Sequence, residues 1–183
     1  IDLFANESPS QLADFLAEYV TEEFNPGNRR GVLEVKVEHP SPLLRRGVVL
    51  IDTPGIGSTF RHNTEATLNF LPQCDASLFV VSPDPPITEV EIDFLRQVLS
   101  KTTHTFFVLN KIDYLADDEL SKAVTFLKKV LKEHAGIGEA VRIFCVSARA
   151  GLRARQSGDE AGWVKSGMQA VQEHLIDFLA NQK

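Results

Sequence analysis

Three short polar motifs in this sequence carry residues that could bind a phosphorylated ligand. Each follows an apolar run: Asp52-Thr53-Pro54-Gly55, Asn110-Lys111-Ile112-Asp113 and Ser147-Ala148-Arg149. An aspartate at the end of a strand can hold the water shell of Mg²⁺, and a glycine lets a backbone N–H approach a terminal phosphate closely. We therefore expect the first motif to lie on the phosphate side of a ligand.

The second and third motifs are suited to recognising a ring. The Asp113 carboxylate can accept two hydrogen bonds from a guanine edge, which adenine cannot supply. The aliphatic stem of Lys111 can lie over a ring, and the small pair Ser147-Ala148 lets backbone amides reach a base carbonyl. Because ligands of open parallel sheets bind outside the carboxyl ends of the strands, the three motifs predict one site at one sheet edge.

The hydrophobic pattern predicts an α/β fold with a mainly parallel sheet. The apolar runs predicted to be strands are Gly47–Ile51, Ala76–Val81, Thr105–Leu109 and Val141–Val146. A capping box at Thr88–Glu91 opens a predicted helix to about Ser100, Asp117 or Asp118 caps one to about His134, and Ser166 starts the last one. Strands that alternate with helices of this length give a parallel sheet covered on both faces.

Other segments have less regular patterns. Ser8 and Pro9 predict the start of a helix that the turn residues Asn25–Asn28 end. Alternating apolar and polar residues from Val32 to Glu38 predict a half-exposed antiparallel edge strand. Gly47–Ile51 is apolar throughout, so we expect it to be buried on both faces. The polar, glycine-containing segment Gln156–Lys165 predicts a loose loop.

The composition is that of a soluble globular domain of 183 residues, 43% hydrophobic and 24% charged. The net charge of -6 argues against a non-specific nucleic-acid or anionic-membrane coat, since both need a positive field. The two cysteines, Cys74 and Cys145, have no metal-ligand spacing, which favours a reducing cytoplasm. The chain opens at Ile1 without Met, and we expect it to be a fragment of a larger protein.

The ordered motifs resemble the GTPase domain of the translation-factor-like P-loop class. The longer stretch Gly47–Ser58, with Thr64–Thr67, Pro72–Asp75 and Pro86–Glu89, resembles bacterial members of the dynamin family over about residues 31–180. The resemblance implies a three-layer α/β/α fold of the P-loop NTPase type, with an antiparallel edge strand. It also implies that the chain is a partial GTPase domain, with a helical insert region near the first switch at 1–30 and a core with the base-binding motifs at 31–183.

On the phosphate side, the resemblance implies that Asp52 contacts Mg²⁺ through water. Thr53 and Pro54 belong to the same nucleotide-binding motif, and the Gly55 amide would touch the γ-phosphate. Residues 56–69 would form the mobile second switch.

On the base side, the resemblance implies that Asn110 and Asp113 fix guanine. Lys111 would pack on the ring, and the backbone of Ser147 and Ala148 would meet its carbonyl oxygen.

The sequence departs from the family pattern in two places. The 183 residues contain no Gly-x-x-x-x-Gly-Lys-Ser/Thr loop, which supplies the amide cradle, the phosphate lysine and the hydroxyl on Mg²⁺. The family carries this loop upstream, after a strand in mid-sheet, so we expect both to lie outside the chain. Ile56 stands where small GTPases carry the glutamine that orients water. No catalytic residue is identified, and we expect the parent protein to be a GTPase while the fragment alone is inactive.

Three functions remain open from the sequence. The first is the GTP-binding and GTP-hydrolysing domain of a dynamin-like, membrane-remodelling protein. It would be cytoplasmic or peripheral at the inner membrane face, would reach the membrane through parts outside this chain and would bind no nucleic acid. The second is a bacterial GTPase of ribosome assembly or tRNA work, and the third is a non-catalytic assembly module. A missing central strand would leave two strand edges unpaired, so we expect self-association or rearrangement near residues 1–40.

Overall fold

The computed structural model describes residues 9–32, 34–41, 44–53, 67–84, 87–138 and 140–181. These residues fall into two compact units, one within Ile1–Leu50 and the other within Ile51–Lys183. The expected division into residues 1–30 and 31–183 stays a prediction.

The first unit contains helix α1, Pro9–Val20, and the 3-10 turns Pro26–Asn28 and Leu44–Arg46. The buried Asn25 side chain fastens the turn that follows the helix. Its Nδ2 donates to the Tyr19 carbonyl at 2.7 Å, and its Oδ1 accepts from the Arg30 N–H at 3.0 Å. Gly27 has φ 59°, a left-handed conformation that glycine adopts without strain. The predicted helix and turn are both confirmed.

The second unit contains a parallel sheet of three strands in the order β1-β2-β3. The strands are β1 (Ser77–Val81), β2 (Thr105–Leu109) and β3 (Ile143–Cys145). Ser77 is level with Thr105, and Phe107 is level with Ile143. The prediction of an α/β fold with a mainly parallel sheet is confirmed.

The helices of this unit follow the strands in alternation. They are α2 (Glu89–Lys101), α3 (Asp117–Ala135), α4 (Ala148–Ser157), α5 (Glu160–Lys165) and α6 (Met168–Asn181). The unit also contains 3-10 turns at Leu71–Gln73 and Ile112–Tyr114. Residues 67–70 are also helical. Thr88 and Glu91 form the predicted capping box. At α3 the cap position is Ala116 rather than an aspartate, because Glu119 reaches back to accept from the Ala116 N–H at 2.8 Å.

Apolar side chains alternate between the two faces of the sheet. On one face Phe79, Phe107 and Leu109 pack with Leu95 of α2 and Leu131 of α3.

On the other face Val108, Phe144 and Val146 pack with Val171 of α6. Helices therefore cover both faces, which gives three layers. None of the helices described here combines the length and apolarity that crossing a membrane requires.

Two predicted strands are absent from the described residues. Val49 and Leu50, expected to be buried, are 78% and 64% exposed, and neither 44–53 nor 34–41 contains a strand. An apolar run is buried as a strand only where neighbouring strands accept its backbone hydrogen bonds. No strand in the described part of the chain pairs with these segments. For these residues the predicted inner strand and the predicted antiparallel edge strand are both wrong.

The predicted loop Gln156–Lys165 is also wrong, because helix α5 lies inside it. Asp159 caps this helix by accepting from the Gly162 N–H at 2.9 Å, and Trp163 is buried. The Arg155 guanidinium lies 4.1 Å from the centre of the Trp163 ring. Burial of the tryptophan stabilises a six-residue helix that its composition does not favour.

Candidate base-binding site

The second and third motifs lie side by side at the carboxyl ends of β2 and β3. The Asn110 N–H continues the β1–β2 pairing by donating to the Val81 carbonyl at 2.8 Å. The Val146 N–H donates to the Leu109 carbonyl, also at 2.8 Å. Both loops therefore leave the sheet at the same edge, as the sequence predicts for this pair of motifs.

The Asn110 side chain joins the two loops. Its Oδ1 accepts from the Lys111 N–H at 2.8 Å and from the Ala148 N–H at 3.0 Å. These are the hydrogen bonds that the structure describes for this side chain, so its NH₂ group is left for an acceptor. The Ala148 amide, expected to meet a base carbonyl, is here directed at Asn110.

Lys111 has a backbone conformation that is unusual for a residue with a side chain. Its φ of 65° and ψ of 31° are left-handed, and it stands at the N-terminal end of the turn Ile112–Tyr114. The Ile112 N–H donates to the Val146 carbonyl at 3.2 Å, which holds the turn against the third motif. Left-handed non-glycine residues cost free energy and cluster at ligand sites, where the surroundings hold them in place.

Asp113 is partly exposed and forms an ion pair across the two loops. Its Oδ2 accepts from the Arg149 guanidinium at 2.8 Å. The pKa of the Asp113 carboxyl is lowered, chiefly by a hydrogen bond from the Ser147 side chain and further by the charge of Arg149, while burial acts in the opposite direction. The carboxylate is therefore ionised at neutral pH and can accept hydrogen bonds only.

Ser147 is buried and caps helix α4. Its Oγ accepts from the Ala150 N–H at 3.1 Å, and its own N–H donates to the Ser166 carbonyl at 2.8 Å. Gly167, which follows Ser166, has φ 76° and lies so close to the Cys145 carbonyl that a Cβ would overlap it. The segment before α6 therefore supports the third motif from behind.

Two contributors to this site were not among the predicted site residues. Arg149 is the third residue of its own motif, so its charge is the signal that could have been used. Ser166 contacts the site through a backbone carbonyl, and backbone contacts of this kind leave no residue-type signal in a sequence.

The first motif is only partly described. Asp52 and Thr53 are exposed and outside regular secondary structure, while Pro54 and Gly55 lie outside the described residues. No hydrogen bond or ion pair of the described residues joins Asp52 or Thr53 to Asn110 or Asp113. The expected second switch, 56–69, is described only at 67–69.

Mg²⁺ is the metal ion expected beside the first motif. Within the described ranges no group of three or more His, Cys, Asp or Glu residues is placed to hold a metal ion. Mg²⁺ keeps several waters and is often held by one or two carboxylates together with substrate phosphates. The single exposed carboxylate of Asp52 fits that requirement.

Neither cysteine has the properties of a nucleophile. Cys74 and Cys145 are both unpaired thiols. Burial raises the pKa of both, and the charge of Asp75 adds to the effect at Cys74. A raised pKa lowers the thiolate fraction, as expected for small core residues rather than reactive groups.

Comparison with known proteins gives a consistent set of relatives. The family profile described as "Dynamin family" matches residues 4–112. An uncharacterized protein of Caldicellulosiruptor sp. is 38% identical over 93% of this chain and 42% of its own length. Dynamin-like protein 1 of Campylobacter jejuni is 26% identical over 83% of this chain and 22% of its own length. A bacterial dynamin-like protein of Nostoc punctiforme is 27% identical over 80% of this chain and 24% of its own length. The chain thus spans less than half the length of these relatives.

Proposed function

The chain belongs to the dynamin family, and from that premise we propose that residues 110–149 form the guanine-binding end of a GTPase domain. The observation that carries the proposal is that the Asn110 side chain accepts hydrogen bonds from both motifs, at the Lys111 and Ala148 N–H groups. The ionised Asp113 carboxylate lies in the same loop as Asn110. The two loops are held at one sheet edge before any ligand arrives. Such preorganisation lowers the entropy that binding must overcome.

Each base-side residue has a role that its contacts permit. The Asp113 carboxylate would accept the N1–H and 2-amino hydrogens of guanine, and the NH₂ group of Asn110 would donate to the ring. The aliphatic stem of the exposed Lys111 would cover one face. The backbone of Ser147 and Ala148 would lie beside the base carbonyl, with Ala148 sharing its N–H between that oxygen and Asn110.

The phosphate side depends on Asp52, Thr53, Pro54 and Gly55. We propose that Asp52 contacts Mg²⁺ through water and that the Gly55 amide meets the γ-phosphate. Mg²⁺ would neutralise charge on the phosphates. Because the sequence contains no glycine-rich lysine loop, the rest of the phosphate cradle would be supplied from outside these 183 residues. This chain alone would then not hydrolyse GTP.

The parent protein is proposed to be a dynamin-like GTPase that remodels membranes from the cytoplasmic side. The names of the relatives from Campylobacter and Nostoc support this class over a ribosome-assembly or tRNA GTPase. A plant relative, a probable transmembrane GTPase of the chloroplast in Arabidopsis thaliana, is 35% identical over 64% of this chain.

Self-association is also proposed. β1 is an edge of the described sheet, and the exposed side chains of Leu78 and Val80 lie on it. An open edge with apolar side chains favours pairing between copies. Light scattering of the 183-residue chain at tens of micromolar should show a dimer, and a clean monomer would count against self-association. The expected location near residues 1–40 stays a prediction.

The test of the proposed function is a titration with fluorescent GDP and GTP, with and without Mg²⁺. Both the 183-residue chain and the full-length protein are titrated, and GTP hydrolysis is followed in parallel. Asp113→Ala should abolish guanine selectivity over adenine, while Asp177→Ala, an exposed aspartate on α6, is the matched control. Failure of the full-length protein to bind guanine nucleotides would refute the proposal and favour a non-catalytic assembly module.

A further inference from the structure

One cation already occupies the carboxylate that the proposed function assigns to guanine. The Arg149 guanidinium donates to Asp113 Oδ2 at 2.8 Å, and its carbon lies 5.3 Å from the centre of the Tyr114 ring. The one hydrogen bond described for the Arg149 side chain goes to Asp113. The Asp113 carboxylate is therefore paired with a residue of the chain itself.

The chemistry of the two donors is alike. A guanidinium is a planar carbon flanked by N–H groups, and it matches a carboxylate with a fork of parallel donors. Guanine presents the same arrangement along N1–H, C2 and the 2-amino group. Adenine presents no such pair. In the structure Arg149 makes one of these two bonds, to Asp113 Oδ2, and so takes an acceptor position that the guanine edge would use.

We propose that Arg149 is a displaceable mimic of guanine, which pairs with Asp113 when no base is bound and lowers the affinity for guanine nucleotides by competing with the base. The inference rests on the proposed function. It adds a residue that sets affinity at the base site without being one of the groups that bind the base.

The surroundings of Arg149 permit its displacement. Its side chain is 57% exposed, against 23% for Asp113, and Tyr114 is 66% exposed. An exposed ion pair is screened by water and contributes little, so the competition should weaken guanine binding by about 1.5-fold to fivefold. The Tyr114 ring, which the guanidinium already contacts, can keep this contact after the pair with Asp113 opens.

The first test observes the displacement directly in the full-length protein. Carbon and nitrogen NMR signals report the Asp113 carboxyl and the Arg149 guanidinium. GDP should shift the Arg149 signals and end the pairing, whereas ADP should leave it in place. Persistence of the Arg149–Asp113 pair in the GDP complex would overturn the inference and leave the proposed function intact.

The second test measures affinity. Arg149→Ala should tighten GDP binding by about 1.5-fold to fivefold and leave ADP unchanged. Arg149→Lys keeps the charge but lacks the planar fork. Its affinity for GDP should therefore lie between that of the wild type and that of Arg149→Ala. Arg153→Ala, one turn later on the exposed side of α4, removes the same charge and should not tighten GDP binding.

The outcomes separate the two ideas. Equal GDP affinity of the wild-type and Arg149→Ala proteins, or weaker binding by the variant, would refute the proposal that Arg149 mimics guanine. The proposed function would stand. If no form of the full-length protein binds guanine nucleotide, the mimic and the proposed function both fail.

Discussion

Gly167→Ala should destabilise the protein far more than other glycine substitutions of the same backbone type. Gly167 has φ 76°, and a Cβ there would overlap the Cys145 carbonyl and lie 3.3 Å from the Val146 Cα. Both obstacles are backbone atoms of β3 and its continuation, so neither can turn aside as a flexible side chain would. The new methyl group must push the segment before α6 away from the sheet.

The magnitude has two parts. A left-handed residue with a Cβ costs about 1–2 kcal/mol, and overpacking costs about 1–3 kcal/mol more. We therefore expect Gly167→Ala to lower the free energy of unfolding by about 2–5 kcal/mol. Gly158→Ala is the matched control, because Gly158 has φ 70° but no heavy atom lies within 4 Å of the place that a Cβ would take. The free energy of unfolding of Gly158→Ala should fall only by the about 1–2 kcal/mol of the left-handed backbone.

Urea denaturation of the two variants and the wild type measures the difference. Equal losses for Gly167→Ala and Gly158→Ala would refute the reasoning, since they would mean that β3 and the segment before α6 are not in close contact. Because the Ser147 N–H donates to the Ser166 carbonyl at 2.8 Å, Gly167→Ala should also weaken guanine binding. Gly158→Ala should leave it unchanged.

Three further predictions follow from other contacts. Asp113→Asn replaces an acceptor with an amide donor, so affinity for GDP should fall at least about tenfold and xanthosine diphosphate, with its 2-oxo group, should be favoured in competition titrations. Trp163→Ala should lower the free energy of unfolding by about 3 kcal/mol in urea titrations, whereas Val164→Ala, an exposed neighbour on α5, should change it by less than about 0.5 kcal/mol. The lowered pKa of Asp113 means that its interactions stabilise the fold above the usual aspartate value near 4 and are lost as the pH falls through the lower folded value. The stability difference between wild type and Asp113→Ala should therefore be present at pH 7 and shrink below about pH 4; a constant difference would contradict the assignment.

Local signals predicted much of the second unit. β2 has the predicted bounds, Thr105–Leu109, and the capping box at Thr88 marks the start of α2. The capping box depends on interactions within a few residues. Strand β2 is an apolar run that lies between two paired strands. The juxtaposition of Asn110–Asp113 with Ser147–Ala148 was predictable because parallel strands direct their carboxyl ends to one edge.

The parts that failed depend on distant partners. Gly47–Ile51 has the composition of a buried strand, but composition does not supply the neighbouring backbone that such a strand needs. Helix α5 is stabilised by burial of Trp163, which outweighs a polar, glycine-containing sequence. The Arg149–Asp113 pair depends on which way a long side chain turns, and no spacing rule predicts that.

The Asn110 bridge should make the loops after β2 and β3 open together. One oxygen holds the amides of Lys111 and Ala148, although 38 residues separate Asn110 from Ala148. A fluctuation that swings the Asn110 side chain outward exposes both amides to solvent in the same event. Their hydrogens should therefore exchange with deuterium at correlated rates, and a bound base that immobilises Asn110 should slow both together.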